Sequence, residues 1–248
     1  MINKTDLQSL ISKYYLSGLI ESVKIEIKDN TLTIKFTSPT KEMLGKVIYH
    51  NFDFLPESII GISNTTQLNN LLKITNEELN LQYQSQNKIF TKLIISDKVF
   101  TLEYTLADIM IIPKSGEYKG GDEFLVQASL NEDIINSIIK AKNSLSNNET
   151  VTLQTIQNIV DGYKLEILFG ENDEYSNKVS LNIEDIIYNP SIYEEIKHSY
   201  SSELFKEILS CNKDQALWLI EIGEGGILKL SFGSANMESE YFIVPKDI

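Results

Sequence analysis

Four stretches of this chain space their apolar residues three and four apart, and the stretches between them alternate apolar with polar. The first spacing makes a stripe along a helix; the second makes one face of a strand. Residues 3–17 carry Leu7, Leu10, Ile11 and Tyr14 on such a stripe, with Gly18 placed to end the helix. TTQLNNLLKI (65–74) follows Asn64, a good N-cap, and turns Leu68, Leu71 and Leu72 inward. Asn131 caps a third helix running to about residue 143, whose apolar face is Ile134, Ile135, Ile138 and Ile139. The fourth, SSELFKEILSCN (201–212), points Leu204, Phe205, Ile208 and Leu209 inward. The helices start near Thr5, Thr65, Glu132 and Ser202, separated by 60, 67 and 70 residues. Such spacing predicts one supersecondary unit used four times.

Between the helices the period falls to two. VKIEIKD (23–29) and TLTIKFTS (31–38) predict a hairpin turning at Asp29 and Asn30. VIYHNFDF and SIIGIS follow as short strands, then ELNLQYQ, KIFTKLIIS and KVFTLEYTL after the second helix. ADIMIIP closes the first half, and IPKSGEYKGG, punctuated by Pro113, Gly116, Gly120 and Gly121, reads as a connector. DEFLVQASL opens the second half; TVTLQTIQN, GYKLEILFG and NKVSLNIED follow its first helix. Residues 184–200, with Pro190, fit no clean pattern. ALWLIEIGE, GILKLSFGS and SEYFIVP finish the chain, with a hairpin about Gly225 and Gly226. The expectation is an α+β protein of two similar strand-rich domains, 1–112 and 122–248, joined by a connector at 113–121. Each domain would have antiparallel sheets with two helices on one face. Two tandem domains of unrelated fold are the alternative.

Charge changes the picture more than hydropathy does. The net charge is −13, and it is uneven: residues 1–119 hold 13 lysines and 13 acids, residues 120–248 hold 9 lysines and 22 acids. A purely electrostatic nucleic-acid binder is basic, so the charge argues against tight, static wrapping of DNA and leaves room for a weak contact through one lysine-bearing surface. All the basic residues are lysines; without arginine the chain lacks the commonest bidentate reader of guanine. Cys211 is the one cysteine, so no disulfide forms within the chain, and a reducing cytoplasm fits. No apolar run is long enough to span a membrane, and MINKTDLQSL lacks the core of a signal peptide.

Catalytic chemistry finds no foothold. His50 and His198 have no ligand spacing, and no zinc motif exists. GEYKGGDEF lacks the order of a phosphate-binding loop, and GEGGILKLSFG is a turn between strands. Ser58 and Ser63 have no nucleophile context. The pairs Glu77 with Glu78, Asp122 with Glu123, Glu132 with Asp133 and Glu194 with Glu195 are sequence neighbours, which reads as solvated surface. No metal or cofactor is implied, and the protein is expected not to be an enzyme. The helix lysines are different. Lys4 and Lys13 flank the first stripe, Lys73, Lys140 and Lys206 lie off theirs, and Lys213 follows the fourth helix. Exposed helix faces commonly carry lysine. On one shared surface, however, these six would line an acidic protein with mobile point charges able to hold a phosphate backbone loosely. Asn69, Asn70, Asn136, Asn143 and Ser210 would add polar contacts that read no sequence.

Three segments, IIGISNTTQLNNLLKI, FLVQASLNEDIINSIIKAKN and FKEILSCNKDQALWLIEIGEGGILKLSFGSANMESEYFIVPKDI, resemble the DNA polymerase sliding clamps, or processivity factors, of the T4-like phage type. The resemblance covers nearly the whole chain in architecture. It implies two similar domains per subunit and a head-to-tail homotrimeric ring encircling double-stranded DNA. It implies the replicative polymerase and an ATP-dependent clamp loader as partners, no membrane, and a host-cytoplasmic location. By the same resemblance, subunits join through edge strands at 100–105, with Phe100, Leu102 and Tyr104, and at 178–183, with Val179, Leu181 and Ile183. A partner pocket would take Ile111, Ile112, Val244 and Pro245. The missing arginines depart from many clamp pores. A non-enzymatic viral structural or assembly protein is the second reading, and an enzyme with dispersed catalytic residues the third.

Overall fold

The computed structural model describes residues 1–87, 89–121, 123–158, 162–170, 176–189 and 196–246. Pro190, Glu194, Glu195, Asp122 and Lys88, on which parts of the sequence reading fell, lie outside them. The chain divides into two units: Met1–Glu117 with Ala235–Ser239, and Tyr118–Ser234 with Glu240–Ile248. The change of unit after Glu117 falls inside the segment read as the connector.

Unit 1 contains β1 (Ile2–Asn3), α1 (Lys4–Tyr15), β2 (Val23–Lys28), β3 (Thr31–Thr37), β4 (Met43–Tyr49), β5 (Ser58–Ile62), α2 (Thr65–Lys73), β6 (Glu78–Gln86), β7 (Ile89–Ser96) and β8 (Thr101–Thr105). Its first strand joins its last three in the order β1-β6-β7-β8, and its middle four run β4-β3-β2-β5. All these pairings are antiparallel. The β2–β3 turn is the one expected: Asp29 and Asn30 both have positive φ, at 50° and 56°, which matches the right-handed twist of the strands it joins. In β4 every second residue is buried, including Gly45. A Cβ there would lie 2.3 Å from the Phe36 ring, so glycine is what lets that ring cross the strand. α1 ends earlier than expected. Leu16 takes the left-handed conformation (φ 46°), and its fully buried side chain offsets the local strain.

Unit 2 contains β9 (Phe124–Ser129), α3 (Glu132–Ser144), β10 (Thr150–Asn158), β11 (Gly162–Phe169), β12 (Val179–Ile183), β13 (Ile186–Tyr188), β14 (Lys197–Ser201), α4 (Ser202–Cys211), β15 (Leu217–Gly223) and β16 (Leu228–Gly233). β17 (Met237–Ile243) begins in unit 1 and ends in unit 2. The strand orders are β12-β11-β10-β14 and, within this unit, β13-β9-β15-β16-β17. Unit for unit the strand order is the same: the first strand lies beside the last three, and the middle strands pair with one another. Among the described residues only β13 lacks a counterpart in unit 1. β13 and β14 occupy the stretch where the sequence showed no clean pattern.

Each unit is α+β, antiparallel, with one helix pair. α1 packs on α2 and α3 on α4. In unit 1, Leu7, Leu10, Ile11 and Tyr14 of α1 meet strand residues including Ile25, Ile27, Ile60, Leu81 and Ile95 around a wholly apolar void of about 40 Å³. Such a void stays dry because it gives water no partners. In unit 2, Ile135, Ile138, Phe205, Ile208 and Leu209 are fully buried. Ile134 and Ile139 are only half-buried; Ala141 and the stem of Lys142 take the inward positions instead.

Candidate nucleic-acid interface

The two helix pairs are built alike and charged differently. In unit 1, α2 is held at both ends by groups from elsewhere in the unit. Asn64 caps its start through Gln67 N–H at 2.8 Å, and the Glu21 carboxylate accepts from the Thr66 amide at 3.0 Å and from its hydroxyl. At the far end the Lys4 ammonium donates to Lys73 O at 3.1 Å and Thr75 O at 2.5 Å, neutralising carbonyls the helix leaves open. Thr66, Gln67, Asn70 and Lys73 form the exposed face, and no acid occurs on α2. Lys73 donates to Asn70 Oδ1 at 2.9 Å and remains exposed.

Lys13 belongs elsewhere. It is fully buried, and its ammonium donates to Ser9 Oγ at 2.7 Å. The inward face of α1 is wider than its apolar stripe, so this lysine cannot stand on an exposed lining. Lys4 is half-buried and held by the α2 carbonyls.

In unit 2, Lys140 is exposed on α3, and Lys213 is exposed beyond α4 with its ammonium on Asn136 Oδ1 at 2.7 Å. Lys206 sits between two carboxylates of its own helix, 2.9 Å from Glu203 Oε1 and 2.9 Å from Glu207 Oε1. Hydrogen bonding to Glu207 and then to Glu203 holds its pKa above the ordinary value, and the Lys206 hydrogen bond in turn holds Glu203 below its own. The Glu203, Lys206, Glu207 spacing is legible in the sequence. Lys142, which sequence spacing alone does not single out, is 5% exposed and donates to Ser146 O and Asn148 O, closing the end of α3.

The residues expected at subunit contacts lie on edge strands. Among the described residues β8 pairs with β7 alone, and β12 with β11 alone. Leu102, Tyr104 and Ile183 point into their cores, Val179 and Leu181 are half-buried, and Phe100 is exposed. Tyr104 is tied down, its hydroxyl accepting from Asn64 N–H and donating to Asn64 O, both at 3.1 Å. The lead-in to β8 is set by Asp97, a residue that carries no signal in the sequence pattern. Its carboxylate accepts from the amides of Phe100, Asn76 and Val99, each at 2.6 Å. These bonds hold its pKa down at about 2.

The four residues expected in a partner pocket differ in access. Ile111 (71% exposed) and Ile112 (3%) are in unit 1; Val244 (42%) and the half-buried Pro245 are in unit 2. Ile112 packs against Gly61, where an added Cβ would meet it at 3.1 Å, so it anchors its segment to the core and has no surface to offer. Among the described residues no three His, Cys, Asp or Glu side chains gather as a metal site, and no helix is long and apolar enough to cross a membrane.

Solved structures share this architecture over the full chain. PCNA of A. fulgidus, in a structure with the C-terminal region of FEN-1 bound, matches with a TM-score of 0.76 at 14% identity, covering 100% of this chain and 97% of that one. The proliferating cellular nuclear antigen of Entamoeba histolytica matches at 0.76 and 14%, covering 99% and 96%. A chain of the PCNA2–PCNA3 complex of Sulfolobus tokodaii matches at 0.70 and 15%, covering 99% and 98%. No protein-family model and no curated protein matches the sequence. The fold is that of the sliding clamps, and the matches are archaeal and eukaryotic members of it.

Proposed function

We propose that this chain is a DNA polymerase processivity factor of the T4-like phage type, forming a homotrimeric ring around double-stranded DNA and tethering the replicative polymerase without reading sequence. It acts as a non-enzymatic tether in the cytoplasm of the host cell, placed on DNA by an ATP-dependent loader, and raises the polymerase's local concentration at the primer end.

One observation carries the reading: the repeated topology, with β8 of unit 1 and β12 of unit 2 among the edge strands of the described residues. In unit 1, β4 is flanked by the opening residues of β17, and the His50 amide donates to Asn236 O at 2.8 Å. The repeat counterpart of β4 is β12, and that of β17 is β8. Those two strands are left open, one in each unit. Pairing β8 of one copy with β12 of the next joins two edges head to tail, and a contact of this kind closes into a ring when its rotation allows. The whole-chain likeness to clamps supports the same reading. Native mass and particle imaging test it on one sample. A trimer with an open centre is expected, and proline at Val179 should reduce it to monomers by removing a ladder donor. A monomer that persists at high protein concentration would return the chain to the alternative of a viral structural or assembly protein.

A further inference from the structure

If the ring encloses DNA, its two kinds of helix pair do unequal work. α1 and α2 carry three lysines (Lys4, Lys13 and Lys73) against one acid, Asp6. α3 and α4 carry three lysines (Lys140, Lys142 and Lys206) against four acids: Glu132, Asp133, Glu203 and Glu207. Burial withdraws Lys13 in unit 1 and Lys142 in unit 2 alike, so the contrast lies in the acids. α2 itself carries no acid and shows a phosphate the amide side chains of Gln67 and Asn70 beside Lys73, while Glu21 engages Thr66 at its start. Its repeat counterpart α4 shows Lys206 already bound by two carboxylates, with Glu203 exposed. Lys142 is buried, and Lys213 is followed at once by the exposed Asp214. Lys140 is the only lysine on α3 or α4 that is exposed.

We propose that the phosphate backbone is gripped mainly by the α1–α2 pair of unit 1, through Lys73 and the amide side chains of α2, while the α3–α4 pair of unit 2 contributes less, through Lys140 alone, because Glu203 and Glu207 hold the Lys206 charge. The inference rests on the DNA-encircling reading and refines it. Around a ring the duplex meets alternating strong and weak contacts. A polyanion so held is retained loosely, because each strong contact is followed by a surface whose lysines are outnumbered by acids.

The test measures binding of the full-length protein to a short DNA duplex across a salt series, at a protein concentration where rings form. For Lys73→Gln, affinity should fall and the salt slope should shrink by about 1 for each phosphate no longer neutralised. For the double substitution Glu203→Gln with Glu207→Gln, Lys206 is freed: affinity should rise and the slope should steepen by about 1. Glu203 also lies 3.8 Å from the buried Lys142 ammonium, so circular dichroism checks the fold of both proteins. Lys73→Gln without effect, or the double substitution without gain, overturns the asymmetry while leaving a ring that binds DNA. Wild-type rings that show no salt-dependent binding at all overturn the DNA reading, and this inference with it.

Discussion

Replacing Lys142 with methionine tests whether a buried ammonium is the cap that closes α3. The substitution keeps the length and most of the volume of the stem. It removes a group that is 5% exposed and donates to Ser146 O at 3.1 Å and Asn148 O at 2.9 Å. Hydrogen bonds from a charged donor contribute roughly 1.5–3 kcal/mol each, so the gross loss is about 3–6 kcal/mol. Two effects offset it. The ammonium no longer has to be held out of water, a penalty of several kcal/mol for a buried ion. Asn148 O also keeps the Ser202 hydroxyl, which donates to it at 2.6 Å. The balance is a destabilisation of unit 2 by about 2 kcal/mol. Trp218, the only tryptophan, lies in unit 2 and reports its urea unfolding by fluorescence. At an m-value of about 2 kcal/mol/M the midpoint should drop by about 1 M. A midpoint that moves by less than roughly 0.3 M would refute the assignment of Lys142 as the cap.

Other consequences are equally open to measurement. Asp97 has its folded pKa depressed from 3.8 to about 2, so its contribution to stability is complete above pH 4 or so and is lost as pH falls through about 2. Asp97→Asn should abolish that acid-range dependence and speed hydrogen exchange at the Val99 and Phe100 amides; unchanged exchange would show the turn holds without the carboxylate. Gly45→Ala should cost unit 1 about 1–3 kcal/mol by forcing the Phe36 ring aside, and Phe36→Leu in the same chain should restore most of it. Tyr200→Phe should destabilise unit 2 by about 1–3 kcal/mol in denaturant titration, because its buried hydroxyl donates to Gly226 O at 2.7 Å and its removal leaves that carbonyl unpaired.

The elements set by local physics are plain in the sequence. All four helices show through their stripes, and the two asparagines expected as N-caps, Asn64 and Asn131, accept from their helices; Asn3 and Ser201 cap the other two in the same way. The turn at Asp29 and Asn30 is legible because few residues tolerate positive φ there. β14, with the sequence KHSYS, is not, since its burial comes from a neighbour in β10 and its own pattern is polar. The candidate interface is legible only as a set of lysines. Sequence spacing places Lys73 and Lys140 outward, but it cannot show that Lys13 is drawn into unit 1 or that Lys4 is engaged by α2, because both depend on partners brought by the fold. Glu203 and Glu207 around Lys206 sit in plain view; reading the lysine without its neighbours on the same helix hides the neutralisation.

Residues 235–239 belong to unit 1, although the whole of 118–234 is made before them. During synthesis, then, the first unit cannot finish folding when its main body leaves the ribosome. At translation speeds of about 5–20 residues per second it waits roughly 6–24 s for its last segment. The second unit needs residues from the same strand, so the two halves mature together once that strand is made. A chain cut short anywhere before residue 235 leaves neither half complete. A damaged message therefore yields no half that is complete by itself.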